Sequence, residues 1–399
     1  MPAGAATVSA RLEARRIQRR LLDWLLNDAY PLWSVAGVDP TSGGFVESLD
    51  QDGRPRPDPR RARVQTRQVY CFAQAPQLGW RGQGREIAER GLHHFIDKYR
   101  RPDGLFRTLV AVGGAPLDES ALLYDQAFAL LAFAAAQKAG GAAAGWERSA
   151  DELREALNRH LKRRGSGFES AFGQRLPLLS NPHMHLLEAS LAWREVSANS
   201  VWASLANDIG GLALARFIDP VTGVVREAFD DSWNPVPGIP GRLVEPGHQF
   251  EWAWLLMRWG GEGSAQATQT MQAAQTLIEI GERSGVHAGV AVDALLDDFS
   301  IYEGGARLWP QTERLKASAL AAVVTGADHH WAGAVAAAGA LMRYLTTLTP
   351  GLWRDRLGAQ GDFLAGPAPA SNFYHLVAGI DALTRALASS RAIGDDRDH

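Results

Sequence analysis

The sequence predicts an all-α fold: an (α/α)6 barrel of twelve helices in two concentric rings, with short β-hairpins in the links. The first observation behind this is a glycine-led, strand-like phrase that recurs six times: GGFVESL, DGLFRTLV, SGFESAF, TGVVREAF, HAGVAVDAL and PGLWRDRL. With Phe45, Leu105, Phe168, Val224, Val290 and Leu352 as markers, the steps are 60, 63, 56, 66 and 62 residues, so the chain repeats at a near-constant period. The second is that each phrase lies between two helical patterns of different character. The third is that neither end carries the atypical polar repeat needed to cap an open solenoid, which favours a ring closed on itself.

The helices that precede each phrase are amphipathic and charged on one side, over residues near 8–27, 84–100, 146–162, 199–217, 264–283 and 328–346. In the first of these, Leu12, Ile17, Leu21, Leu22 and Leu25 form one apolar stripe, so the basic, alanine-rich start of the chain reads as a helix and not as a secretory signal. The helices that follow the phrases are more apolar, over 65–78, 120–137, 182–196, 247–259, 311–324 and 372–387. A helix apolar all round is buried all round, which assigns these six to the inner ring. Glycine and proline concentrate in the links. No Pro/Ser-rich or charge-rich linker divides the chain, so residues 1–399 are expected to form a single catalytic domain.

Composition narrows the function classes. A net charge of −3 with no basic excess argues against nucleic acid and anionic membrane surfaces as partners, and no apolar run is long enough to span a bilayer. One cysteine, Cys71, cannot form an intrachain disulfide and fits a reducing compartment, so a cytoplasmic location is expected, as a monomer or homodimer. Dinucleotide-binding and phosphate-loop glycine patterns are absent, and no cofactor is expected.

In such a barrel the inner helices run the same way, and their first turns converge on one face. Those turns carry Arg67; Tyr124 with Asp125; Asn181, His183 and His185; His248 with Glu251; Trp309, Gln311 and Glu313; and Tyr374 with His375. Pro246–Gly247 opens the helix that carries His248, and Glu251, three residues on, shares its face, which pairs a base with a carboxylate to orient it. Arginine, several histidines, an amide and aromatic walls (Trp252, Trp309, Phe45, Tyr124) suit a neutral polyhydroxylated ligand, a small free sugar.

At RVQTRQVYCFA, NPHMHLLEASLAW, EPGHQFEWAWLL, RLWPQTERLKA and SNFYHL the chain resembles the N-acylglucosamine 2-epimerase superfamily, above all its mannose isomerase-like, free-sugar branch. The likeness covers nearly the whole chain and implies an (α/α)6 barrel. Carried over by residue, it implies that His248 and His375 are the acid/base pair, with Glu251 the partner of His248. It makes Arg67 a ligand for the O1/O2 end of the sugar, Asn181 and His185 substrate contacts that help open the ring, and Trp309 a wall; His185 favours the free-sugar branch. Ser371 and Ala370 stand where related isomerases carry an amide or aromatic residue.

The activity expected is interconversion of D-mannose and D-fructose by histidine proton transfer through an enediol. The alternative is 2-epimerisation of mannose/glucose, cellobiose or N-acylglucosamine. A glycoside hydrolase would need two carboxylates facing the scissile bond, whereas Asp125, Glu251 and Glu313 each sit beside His or Arg. A metal-dependent isomerase could use HxH at 183–185 and HxxE at 248–251, but residues two apart on a helix do not share a face, and no metal is expected. A non-catalytic sugar-binding module would need the aromatic walls without the histidine pair.

Overall fold

The computed structural model describes residues 3–140, 145–173, 177–261 and 267–395. Helix α1 (Ala3–Trp24) passes through a π-type turn (Leu25–Ala29) into α2 (Tyr30–Ala36). This first outer helix outruns the 8–27 expected. The π turn lies just ahead of Pro31, where a regular helix would lose a hydrogen bond and meet the proline ring. The other outer helices are α4 (Gly84–Tyr99), α6 (Trp146–His160), α8 (Val201–Leu212, continued by a π turn to Phe217), α11 (Ala267–Gly285) and α13 (His329–Tyr344). The inner helices are α3 (Ala62–Leu78), α5 (Leu123–Gly140), α7 (Ser180–Arg194), α10 (Pro246–Trp259), α12 (Leu308–Thr325) and α14 (Ser371–Asp395). A short α9 (Ile239–Arg242) lies within a link. Residues 264–266 of the expected fifth outer helix lie outside the described residues. No helix among the described residues is long and apolar enough to cross a membrane.

Neighbouring inner helices pack pairwise in order, and α14 returns to α3; α1 likewise meets α13 on the outside. The links hold bridges of the expected hairpins, such as Val38 with Phe45 and Ile218 with Val225. They also pair with one another. Arg60–Arg61 pairs with Leu109–Val110, Leu178–Leu179 with Ala228–Phe229, Leu243–Val244 with Leu295–Leu296, and Ala306–Arg307 with Arg356–Leu357, all antiparallel. Ser48–Leu49 pairs with Ala368–Pro369, joining the first link to the last. Ring closure is thus written in backbone hydrogen bonds as well as in helix packing.

A clamp that the sequence reading did not identify sets the height of each link. The side-chain amide of Gln65 accepts from Phe45 N and donates to Phe45 O, both at 2.8 Å. Gln126 does the same to Phe106, Gln249 to Val225 and Gln311 to Ala291. In the third unit His183 takes this place: Phe168 N donates to Nε2 at 2.9 Å, while Nδ1 donates to Leu179 O at 2.8 Å. In the sixth, Phe373 stacks on Trp353 at 5.6 Å instead. Each glutamine satisfies a buried backbone N–H and C=O that have no ladder partner, and His183 satisfies the N–H of Phe168. The clamp also helps set helix rotation: most inner-helix residues that face the lumen lie two positions before or after the clamp, and His248 and Asn372 lie one before it.

Candidate functional site

Counted from the clamps, the positions two after them are Arg67, His185, Glu251, Glu313 and His375, with Phe128 completing the six. The positions two before include Tyr124, Asn181, Trp309 and Ser371. At the mouth these residues, other than Phe128 and Glu313, border a cavity of about 380 Å³ lined by Arg61, Arg67, Tyr124, Asn181, His185, Glu245, His248, Glu251, Arg307, Trp309, Asp355, Ser371, Asn372 and His375, among others. That volume is near the lower end of small-molecule sites, roughly 300–1,000 Å³.

The Trp309 indole lies between the two histidines, 5.2 Å from the His248 ring and 5.6 Å from the His375 ring. It can lie so close to α10 because residue 247 is glycine: a Cβ there would stand 2.4 Å from the indole. Arg67 is held by a 2.7 Å hydrogen bond to the Tyr124 hydroxyl and lies over the Phe128 ring at 4.2 Å. His185 Nδ1 faces Glu188 Oε2 at 3.2 Å, and the Tyr374 hydroxyl donates to the other oxygen of Glu188 at 2.5 Å. The buried Oδ1 of Asn181 has no partner among the described residues, leaving an acceptor at the cavity wall.

The two histidines differ in their partners. His248 Nδ1 lies 3.0 Å from Glu227 Oε2, and His375 Nδ1 lies 2.8 Å from Glu313 Oε1. An ionised carboxylate can only accept, so each Nδ1 carries a proton. Burial alone would lower both pKa values. At His248 the carboxylates of Glu227 and Glu245 outweigh burial and raise it to about 10. At His375 burial dominates over Glu313 and lowers it to about 4. One imidazole is therefore charged and the other neutral across the physiological range. Environments that push two titratable groups apart assign acid and base.

Four expectations need correction. Glu251 does not hydrogen-bond His248; Glu227, from the link, does. A first-turn side chain leans back toward its helix N-terminus, away from the residue three positions on. Glu251 lies instead beside His185, at 3.9 Å, with its Oε1 unpartnered; burial and the charge of Glu313 raise its pKa well above the ordinary carboxylate value. Asp125 does not reach the cavity. It is fully buried, accepting from Thr108 at 2.8 Å and from Arg63 at 3.3 Å, which holds its carboxylate behind the wall while Tyr124 lines the cavity. Phe45 and Trp252 are core residues, packed on Phe72 and Phe217 respectively, not cavity walls. Of the departures, Ser371 lines the cavity, while Ala370 is buried, its carbonyl accepting from Gln68.

Among the described residues, two side-chain groups are compact enough to hold a cation: His185 with Glu188 and Glu251, and His248 with Glu227 and Glu245. Both already hold positive charge. Lys316 and Arg67 act on the first set, and Arg307 donates to Glu245 at 3.1 Å in the second. His183 and His185 point to different places, as their spacing requires: His183 clamps a link and His185 faces the cavity. Absent from the sequence reading as site groups were Glu227, Glu188, Glu245, Lys316, Arg61, Arg307 and Asn372. A usable signal existed for one class of them. A polar residue two places after each clamped backbone residue (Glu47, Thr108, Ser170, Glu227, Asp293, Asp355) meets the start of an inner helix.

Residues 43–379 match the N-acylglucosamine 2-epimerase (GlcNAc 2-epimerase) family. Over 376 residues the chain is 48% identical to a protein of Rhizobium meliloti (strain 1021) named mannose-6-phosphate isomerase, covering 92% of this chain and 96% of that one. It is 28% identical over 261 residues to the D-mannose isomerase of Thermobifida fusca, 60% of each chain. Among solved structures, cellobiose 2-epimerase from Spirochaeta thermophila DSM 6192 superposes with a TM-score of 0.84 at 22% identity, over 94% of this chain and 97% of that one. A D-mannose isomerase superposes with a TM-score of 0.82 at 19% identity, over 96% and 99%. At these identities the two structures speak for the barrel alone.

Proposed function

We propose that this chain, which belongs to the N-acylglucosamine 2-epimerase family and is a sugar isomerase or epimerase, interconverts D-mannose and D-fructose through an enediol. The observation that carries the reading is the pair of oppositely tuned histidines on either side of Trp309. The whole barrel acts as one catalytic domain on a small free sugar.

The chemistry starts with ring opening, because the C2 proton is acidic only in the open-chain aldehyde. His248, charged, gives its Nε2 proton to the ring oxygen as the C1–ring-oxygen bond breaks, and takes up the O1 proton as the carbonyl forms at C1, so that it ends charged again. His375, with Nδ1–H tied to Glu313, presents the Nε2 lone pair to the C2 proton. As C2–H breaks, its electron pair becomes the C1–C2 double bond and charge moves to O1, where Arg67 stabilises it. His248 protonates O1 to give the enediol, then takes up the O2 proton as His375 returns its proton to C1, which yields the 2-ketose with both rings in their starting states. Arg67 suits the oxyanion because it is a fixed, multi-donor cation set by Tyr124 and Phe128.

A second reading, 2-epimerisation, is favoured by the same flanking of one indole by two histidines, since a second base could reach C2 from the opposite face. Substrate phosphorylation is a further question, because the relative at 48% identity is named for a sugar phosphate. Arg61 and Arg307 line the cavity, but Glu47 and the pair Asp293 and Glu245 already neutralise them, which supports a free sugar. Incubation with D-mannose and with mannose 6-phosphate in D2O tests all three. The isomerase reading expects fructose labelled at C1, formed from D-mannose faster than from the phosphate. Early C2-labelled glucose would make it an epimerase, and preference for the phosphate would overturn the free-sugar assignment.

A further inference from the structure

Beneath the cavity floor lies a lysine that makes no contact with the cavity. Lys316, on α12 one turn after Glu313, has a side chain with no solvent exposure, and its Nζ lies 2.6 Å from Glu313 Oε2. Its other neighbour is the Trp254 ring, whose centroid is 3.9 Å from Nζ. Lys316 Nζ makes no directed hydrogen bond, so the contact with Glu313 is a fully buried ion pair. A buried ion pair is costly to desolvate, and apolar residues of like volume in place of the whole pair often fold as well or better. What it does for the site accounts for its presence.

Glu313 divides its two oxygens: Oε1 takes the Nδ1 proton of His375, and Oε2 faces Lys316. Glu313 has no solvent exposure, and two further carboxylates, Glu188 and Glu251, lie close enough to act on the same lysine. Without a cation, a carboxylate so placed would take up a proton. A protonated Glu313 would be a weak acceptor, and His375 would lose the anion that fixes its tautomer and steadies its charge after proton uptake. We propose that Lys316 is a positioning residue of the reaction, holding Glu313 anionic behind His375 and so setting the strength and orientation of that imidazole as a base.

The groups packed around this pair are Glu188 and His185 on α7, Glu251 on α10, Tyr374 and His375 on α14, and Arg67 with Tyr70 on α3. Glu188 is occupied by His185 and Tyr374, and Arg67 by Tyr124, which leaves Lys316 as the cation in contact with Glu313. Burial favours the neutral form of Glu313, but Lys316 and then His375 outweigh it and lower its pKa.

The proposal rests on His375 being the base, and the test separates the two. kcat, KM, their pH dependence and Tm are measured for Lys316→Met, Glu313→Gln, the double variant and His375→Asn. Lys316→Met is expected to lose about 10- to 100-fold in kcat at neutral pH, within the range of a general base's contribution. KM should change less than about threefold, since Nζ does not touch the cavity, and kcat should recover as pH rises and Glu313 ionises. The double variant should match Glu313→Gln within about threefold and show no such recovery, because Lys316 acts through Glu313. A folded Lys316→Met with wild-type kcat and pH profile overturns the proposal, and so does a double variant far below Glu313→Gln. If Lys316→Met does not fold, the comparison of Glu313→Gln with the double variant, which removes both charges of the pair, decides. Retained turnover in His375→Asn would instead overturn the assignment of the base.

Discussion

The two sides of the cavity are built alike and behave oppositely. On each, a histidine at the start of an inner helix donates a hydrogen bond from Nδ1–H to a glutamate and faces the cavity with the rest of its ring. On the α10 side the glutamate comes from a link, and a second carboxylate, Glu245, adds its field; His248 is held charged, with a pKa of about 10. On the α14 side the glutamate sits on a neighbouring inner helix and is already matched by Lys316; His375 stays neutral, with a pKa of about 4. The lesson is that a His–Glu hydrogen bond does not fix protonation. What fixes it is whether the carboxylate has charge left over after its other partners are counted.

The severest way to break this comparison is to remove either ring. His375→Asn and His248→Asn are each expected to lower kcat by about 10²–10⁴-fold, the range for a general acid or base. Steady-state assays on folded protein check it; a variant retaining more than a third of the wild-type rate would take that residue out of the pair.

Next in size is Glu227→Gln. Losing the carboxylate that orients a catalytic histidine costs up to about 10⁴-fold in a serine-protease triad. Here Glu245 remains, and a loss of about 10–10²-fold is expected. The pH profile is the sharper readout. In the wild type, kcat/KM should rise as pH climbs through about 4, where His375 gives up its proton, and fall as it climbs through about 10, where His248 does. With Glu227 neutral, less field holds the His248 proton, so the alkaline limb should move to lower pH while the acid limb stays. Movement of the acid limb instead would exchange the two roles.

The smallest effect on turnover is expected from Asp125→Asn. Its carboxylate is paired with Arg63 and Thr108 behind the wall, so kcat should change less than threefold. Stability should fall by about 1–3 kcal/mol, the cost of disturbing a buried polar pair, read by denaturant unfolding. A large kcat loss at unchanged stability would return Asp125 to the substrate.

Much of this was legible in the chain. The period of the glycine-led phrase gave the six units, and the all-round apolar helices gave the inner ring, with most ends within three residues of those observed. Arg67, Asn181, His185, His248, Trp309 and His375 reach one cavity because first turns of parallel inner helices must converge. The pairing of carboxylates with histidines was not legible. Helical spacing on one segment suggested Glu251 for His248, but the partner arrives from a link 21 residues earlier, positioned by the Gln249 clamp on Val225. Whether a neighbour such as Asp125 or Phe45 faces the lumen or the wall depends on helix rotation, which those clamps set and which a linear pattern does not display.

The most direct test of the account is the charge state of the two rings. In protein carrying 15N-histidine, NMR at pH 7.5 should show one imidazolium whose signals vanish in His248→Asn, and one neutral ring, protonated at Nδ1, whose signals vanish in His375→Asn. Two neutral rings, two charged rings, or a charged His375 beside a neutral His248 would contradict it.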